Sequence, residues 1–428
     1  MLKIFFFFFF DLYHLILFFF IRLIFETGDL FYYTSKFLFL DKLSFVISWI
    51  IFWVVIFSVS QIRMLGRPSA AFIGLYRLNY ILFFRLAFVF LLKSLLRFYI
   101  IFELRFLPVF FIIVAWGRAS DRIVSGFYLI YYTIVGSLPF FFGLLYLVKL
   151  KFFITFFTLR YFEGLNRLFC LWFLFVFLVK FPVYGLHLWL LKAHVEAPVW
   201  RSIVLSGVML KLGGYGIIRT CFVWESIPVL KDFLLILRIL GGAKASYSCL
   251  LSNDIKLRIA LSSVVHIRFC VRALLFFCHW GVKGRLILIF GHGLCSSGLF
   301  YLCNIIYGSF RRRRLVILKG VLRVFPIFRI LWFLICSVNI SCPPSVNLLR
   351  EIIIISNLLS YGGRLFVVCF RAILFFTACY RLYFFYCCRY GACSKRTLTL
   401  NYSVMRIFLG WFHWFPLNVG ILLTYNFF

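Results

Sequence analysis

The 428-residue sequence predicts an all-α polytopic membrane protein with about 13–14 transmembrane helices. Three observations carry this prediction. The chain is 65% hydrophobic and 22% aromatic, whereas a soluble domain is about half apolar. Apolar segments near membrane-spanning length follow one another from end to end. The apolar residues come in solid runs, such as 50–58 and 137–148, without the alternation of a transmembrane barrel. Only helices and closed barrels satisfy the backbone in lipid, so helices remain.

The expected spans are 5–25, 44–60, 80–102, 106–116, 125–148, 168–182, 202–218, 227–241, 257–278, 285–306, 315–337, 350–359, 365–387 and 406–425. The first, within MLKIFFFFFFDLYHLILFFFIRLIF, is apolar for too long to be a cleavable targeting peptide and lacks a small-residue cleavage site. A membrane protein without an import signal is inserted during synthesis or made in the compartment where it works. The next four spans hold no acidic residue, with Glu103 between two of them. The span at 168–182 stops at Lys180-Phe181-Pro182, because proline removes a helical hydrogen bond. The seventeen residues 202–218 hold one charge, Lys211. His266 and His292 lie in the spans at 257–278 and 285–306. Cys342-Pro343-Pro344 separates the span at 315–337 from the one at 350–359, which contains Glu351. The longest polar stretch, 389–403, is a loop before the last helix, and short connections leave no soluble domain.

The formal charge of +34 would ordinarily point to nucleic acid. Here the basic residues are strewn singly through apolar runs, as at Arg85, Arg238 and Arg371, so no nucleic-acid partner is expected. There are 31 Arg against 15 Lys. An arginine near a bilayer centre costs about 2.5–3.5 kcal/mol, and ten would cost roughly 30 kcal/mol. Fourteen cysteines show no metal-ligand spacing; Cys387, Cys388 and Cys393 form the densest group, with no partner cluster nearby. They read as small apolar residues in helices.

Only twelve residues are acidic. Glu103 sits in FYIIFELRFLP, and Glu351 follows the double proline by about two turns in NLLREIIIISNLL. A carboxylate within a membrane is costly unless paired and is a functional candidate by default. Lys180 is the natural partner of Glu103; the competing reading is a structural ion pair. Histidine titrates near neutral pH and can relay protons, and lysine can lose its proton when desolvated. His266 and His292 could equally be packing residues. Two interrupted helices, each followed by an ionisable group, fit a transporter of two repeats with its ion path at the midplane. Two ordinary proline kinks are the alternative. A Glu–Lys–Lys/His–Glu series of this kind can conduct protons by switching charge states between neighbours.

LVKFPVYGLHLWLLKAHVEAP…GVMLKLGGYG, NDIK…ALSSVVHI, GHGLCSSGLFYLCN, CPPSVNLLREI and HWFPLN occur in this order. Together they resemble the chain 4 family of mitochondrial NADH:ubiquinone oxidoreductase, respiratory complex I, in its invertebrate or arthropod form. The resemblance runs from about residue 99 to the C-terminus. It implies a proton-translocating, antiporter-like subunit of the membrane arm, multi-pass in the mitochondrial inner membrane. It also implies two inverted repeats, at 99–241 and 242–388, after N-terminal helices at 1–98 and before a loop and last helix at 389–428. Carried over, Glu103 and Lys180 match the charged pair of the first half-channel, and Lys211 the central lysine. His266 and His292 match the histidines between half-channels, and Glu351 the carboxylate of the second broken helix. Asp254 and Lys256 match the polar motif before the His266 helix. Other membrane-arm subunits and the lipid bilayer are the implied partners. NADH and ubiquinone would be used by the complex, with no cofactor in this chain: it has no nucleotide-binding glycine fingerprint and no cysteine array for iron–sulfur. A stand-alone or multisubunit cation/proton antiporter and a non-pumping scaffold are the rival readings.

Several residues depart from the family pattern. Arginines stand where relatives carry Ser or Gly at Arg105, Arg201, Arg258, Arg268, Arg311, Arg312, Arg314, Arg329 and Arg350, and Leu191 replaces a proline. Invertebrate mitochondria commonly read AGA and AGG as Ser or Gly. The expectation is that many of these arginines arise from conceptual translation with the wrong code, which the scarcity of methionine, four in all, also fits. Arg122 matches a family arginine. His187 is expected to be hydrogen-bonded near the first helix break, and His194 and Glu196 to act as a structural clamp in the loop AHVEAP.

Overall fold

The computed structural model describes residues 33–34, 38–63, 70–117, 120–149, 155–158, 167–221, 228–275, 279–310, 312–361, 364–391 and 404–427. A short pair of strands, β1 (Tyr33–Thr34) and β2 (Phe39–Leu40), runs antiparallel. Asp41 then caps α1 (Lys42–Arg63): its Oδ1 accepts the Ser44 N–H at 3.0 Å, and its own N–H donates to Ser44 Oγ at 2.8 Å. Burial works to raise the Asp41 carboxyl, but the Arg219 guanidinium at 2.6 Å outweighs it and holds the group below the usual carboxylate range.

Helices follow almost without pause: α2 (Ala70–Val89), α3 (Leu95–Leu104), α4 (Phe106–Trp116), α5 (Arg122–Lys149), α6 (Arg167–Lys180), α7 (Leu188–Glu196) and α8 (Val199–Val204). A single π-helical turn, Leu205–Met209, leads into α9 (Leu210–Arg219). The rest are α10 (Pro228–Leu251), α11 (Ile255–Leu275), α12 (His279–Phe310), α13 (Val321–Val324), α14 (Pro326–Ile340), α15 (Val346–Tyr361), α16 (Arg364–Arg389) and α17 (Val404–Phe427). Among the described residues, six helical stretches are long and apolar enough to cross a membrane.

Two of those stretches form the interior. The run Val199–Arg219 and α12 are each 94% buried inside the protein, against 39% for α5 and 33% for α16. The outer helices turn Phe127, Tyr131, Phe142 and Phe375 outward. In water such a surface would aggregate; against lipid it is the expected contact. The interior helix α9 lies hard against α6. A Cβ at Gly213 would stand 2.7 Å from Phe181 Cβ, and one at Gly216 would overlap the Phe177 ring. Gly216→Val is therefore expected to destabilise the protein by about 3 kcal/mol or more. Thermal inactivation of membranes carrying it should shift down; an unchanged profile would contradict this packing.

Both expected helix breaks are present. At the first, α6 ends at Lys180, and Pro182 has no N–H to continue it. The freed carbonyls find other donors: Val183 N–H reaches Leu178 O at 3.3 Å, and the Trp189 indole N–H reaches Val179 O at 3.0 Å. At the second, α14 ends at Ile340 and Ser341 turns left-handed with φ of 71°. Ser341 and Cys342 N–H donate to Val338 O and Ser337 O, both at 3.1 Å, and the Asn347 side-chain amide donates to Val338 O at 2.9 Å.

Several expectations need correction. The span at 80–102 is not one helix: α2 stops at Val89 and α3 begins at Leu95. The span at 315–337 begins with non-helical chain; α13 is one short turn, and α14 starts at Pro326. His194 lies in helix α7, not in a loop, because α7 continues to Glu196 and Pro198 caps the next helix instead of ending this one early. The first expected span, at 5–25, and most of the 389–403 loop lie outside the described residues, as do Arg311, Cys393 and the side chains of Arg238 and Arg268.

Candidate functional site

The first cluster forms where α3 meets the first helix break. Glu103 stands in the last turn of α3 and Lys180 at the last position of α6. The Lys180 Nζ lies 3.1 and 3.3 Å from the two Glu103 carboxylate oxygens. Lys180 is buried, at 1% exposure, while Glu103 keeps 21%, so the acid opens toward the surface and the base does not. The ammonium also sits 3.6 Å from the Phe106 ring centroid, a cation–π contact. A buried lysine is tolerable only when paired in this way or neutral.

The second cluster is built around α12. Lys211 follows the π turn, and its Nζ donates to the Ser206 carbonyl within that turn. Such turns recur at functional sites because they displace backbone carbonyls. The Lys211 Nζ also lies 3.0 Å from His292 Nδ1. The rings of His292 and His266 are 5.7 Å apart between centroids. His266 Nε2 is 3.0 Å from Asn339 Oδ1, and its Nδ1 is 2.8 Å from Arg350 Nη2. Arg350 Nη2 in turn lies 3.3 Å from Glu351 Oε1, which also accepts the Ser341 hydroxyl at 2.6 Å. Lys211, His266 and His292 are all at most 3% exposed, and Glu351 keeps 16%.

The structure thus brings Lys211, His292 and His266 close together, with Arg350 standing between His266 and Glu351, and pairs Glu103 with Lys180. Gly213 of α9, two residues from Lys211, packs against the backbone of Lys180 and Phe181. Other singled-out residues lie apart from them. His187 accepts the Gly185 N–H at 3.3 Å and stacks on Tyr184. His194 is fully buried and stacked on Phe300, with neither ring nitrogen hydrogen-bonded among the described residues. Lys256 donates to Ala197 O at 2.7 Å and Arg313 to Val195 O at 2.7 Å, so both cations meet the C-terminal carbonyls of α7. The backbone of Asp254 pairs with that of Arg314 in an isolated antiparallel β-bridge. Asn339, Ser341 and Arg381 were not singled out from sequence. Asn339 offered a signal, an amide in the apolar run just before Cys342-Pro343-Pro344.

The arginines at family Ser or Gly positions divide. Arg312 and Arg314 are exposed, where arginine is ordinary. Arg105, Arg201, Arg258 and Arg350 are buried. None of the three guanidinium nitrogens of Arg105 or Arg201 has a hydrogen-bond partner among the described residues, although Arg105 rests 4.1 Å from the Phe102 ring centroid. Among the described residues no three His, Cys, Asp or Glu side chains converge as metal ligands.

Residues 93–377 match the family described as NADH:quinone oxidoreductase/Mrp antiporter, TM. NADH-ubiquinone oxidoreductase chain 4 of Ceratitis capitata is 36% identical over 393 residues, 91% of this chain and 87% of that one. The same chain of Aedes aegypti is 38% identical over 327 residues, 76% of this chain and 73% of that one. Among solved structures, a chain of respiratory complex I from Thermus thermophilus with bound NADH superposes with a TM-score of 0.76, covering 90% of this chain and 82% of that chain at 20% identity, a likeness of fold. With a family match over more than half its length and relatives above 30% identity along most of it, the chain belongs to the NADH-ubiquinone oxidoreductase chain 4 family.

Proposed function

We propose that this chain moves protons along the line Glu103–Lys180–Lys211–His292–His266–Glu351, as a membrane-arm subunit of mitochondrial NADH:ubiquinone oxidoreductase. The supporting observation is the buried run Lys211–His292–His266, with the partly exposed Glu351 one side chain beyond His266 and the Glu103–Lys180 pair at the first helix break. A proton bound by a lysine or histidine in such a run favours release by its neighbour, since like charges at close range cannot both persist in a dry interior. The two breaks, one in 99–241 and one in 242–388, support the division into two repeats. NADH oxidation and ubiquinone reduction belong to other subunits of the complex, and those of the membrane arm are this chain's partners. The protein works in the inner mitochondrial membrane.

Glu103→Ala tests the reading. The complex should assemble, since Lys180 can stand neutral once its partner is gone, while proton-coupled turnover falls at least about tenfold. Turnover at the wild-type level would contradict the proposal. The rival, a free-standing cation/proton antiporter, requires monovalent-cation exchange by the isolated chain; the chain 4 relatives favour the complex I reading.

A further inference from the structure

His413 belongs to neither cluster. It lies in α17 and is fully buried, stacked on Phe57 of α1 with centroids 3.7 Å apart. Its Nδ1 is 3.3 Å from Ser297 Oγ of α12, and its ring centroid is 5.5 Å from that of Tyr301. Its Nε2 is buried with no hydrogen-bond partner among the described residues. An open ring nitrogen in a dry core carries a cost, and unlike His194, whose ring only stacks on Phe300, His413 also meets two hydroxyl-bearing side chains of one helix.

Ser297 and Tyr301 do not stand alone on α12. With Asn304 they lie at intervals of four and three residues, one face of the helix, covering about 10 Å of rise. The Tyr301 hydroxyl donates to Arg406 O at 2.5 Å, and Asn304 donates to Gln61 at the end of α1. This polar face leads from the middle of α12 to its C-terminal end. Beyond that end the chain pairs through its backbone with the loop before α11: Leu315 N–H donates to Asn253 O at 2.8 Å, and the Asp254 and Arg314 backbones lie opposite each other in an antiparallel bridge. His292 lies on the same helix, about 140° around from Ser297 at 3.6 residues per turn.

The relay proposed above runs between helices at the depth of the breaks, and a proton moving along it needs a route to a membrane face. We propose that Ser297, His413 and Tyr301 form such a route, with His413 as its proton carrier, from mid-depth to the face where Asp254 and Arg314 pair. Each transfer balances: a proton arrives on one ring nitrogen of His413, the N–H bond on the other breaks, and a tautomer flip restores the starting form. The Ser297 and Tyr301 hydroxyls each accept one hydrogen and release another.

This inference rests on the relay reading, and the experiment separates the two. In closed inner-membrane vesicles holding the assembled complex, NADH-driven acidification and turnover are compared for wild type, His413→Gln, Tyr301→Phe and Lys211→Ala. Glutamine can keep the Ser297 contact and fill much of the ring's place but cannot carry a proton, so a merely structural role would survive it. The expected result is assembly with a several-fold loss of coupled proton flux in His413→Gln and Tyr301→Phe. Wild-type flux in His413→Gln, alongside loss in Lys211→Ala, removes this inference and leaves the relay. Wild-type flux in Lys211→Ala removes the relay itself and this inference with it. If His413→Gln fails to assemble, Tyr301→Phe decides, and normal flux there overturns the proposal.

Discussion

Lys211→Ala should leave the complex assembled and cut proton-coupled turnover at least about tenfold. Alanine is the best helix former, so α9 keeps its shape. The small neighbours Gly213, Gly214 and Gly216 make that helix depend on close backbone approach to α6 more than on the lysine stem. What disappears is Nζ, and with it the contacts to Ser206 O and to His292 Nδ1 at 3.0 Å. Lys211→Arg sharpens the test. It keeps the positive charge, but a guanidinium does not release its proton at these pH values. If charge alone mattered, arginine would preserve pumping; if proton exchange matters, arginine should fail as alanine does. Native-gel assembly with NADH-driven acidification reads both variants. Normal pumping by assembled Lys211→Ala would favour the scaffold reading.

Peptides of the mature protein spanning positions 201, 350 and 381 should carry Ser or Gly. The geometry at His266 argues this independently of the family pattern. A neutral imidazole offers one acceptor nitrogen. Here Arg350 Nη2 lies 2.8 Å from Nδ1 and Arg381 Nη2 lies 2.5 Å from Nε2, while Asn339 Oδ1 also faces Nε2 at 3.0 Å. One guanidinium must then point a donor at a donor. Arg381 was not among the departures noted in the sequence; the structure adds it. At Arg201 the side chain is fully buried with none of its guanidinium nitrogens hydrogen-bonded, which costs several kcal/mol for an unpaired ion. Peptide mass spectrometry of the large NADH-oxidising band decides the matter, and CGN codons at these positions would sink the idea. Were the arginines real, Arg201→Ser should raise thermal stability.

Much of this was legible because charge is so rare here. Lys211 stands alone among seventeen residues, and Glu103 and Lys180, 77 positions apart, were the natural pair in their part of the chain. Proline marked both helix breaks. The turn between α2 and α3 was invisible for a physical reason. It holds no proline or glycine, Lys93 is one more charge among several scattered through the neighbouring helices, and its backbone is satisfied by distant groups: Leu91 O by Phe39 N–H, Lys93 O by Phe156 N–H, and Phe90 O by the Tyr215 hydroxyl. No local pattern encodes partners that arrive from elsewhere in the fold. The π turn before Lys211 was hidden likewise, since it changes hydrogen-bond register without changing residue type. His413 lies in the HWFPLN segment, and a single histidine in an apolar helix reads as packing until its open nitrogen is seen.

The sealed carbonyls at the two breaks bear on how the protein can work. A hinge must absorb large backbone rotations. Here the Trp189 indole and the Asn347 amide each lock a carbonyl that a hinge would need to release. The breaks are joints without play. Rocking one half against the other at these points would have to break both bonds first.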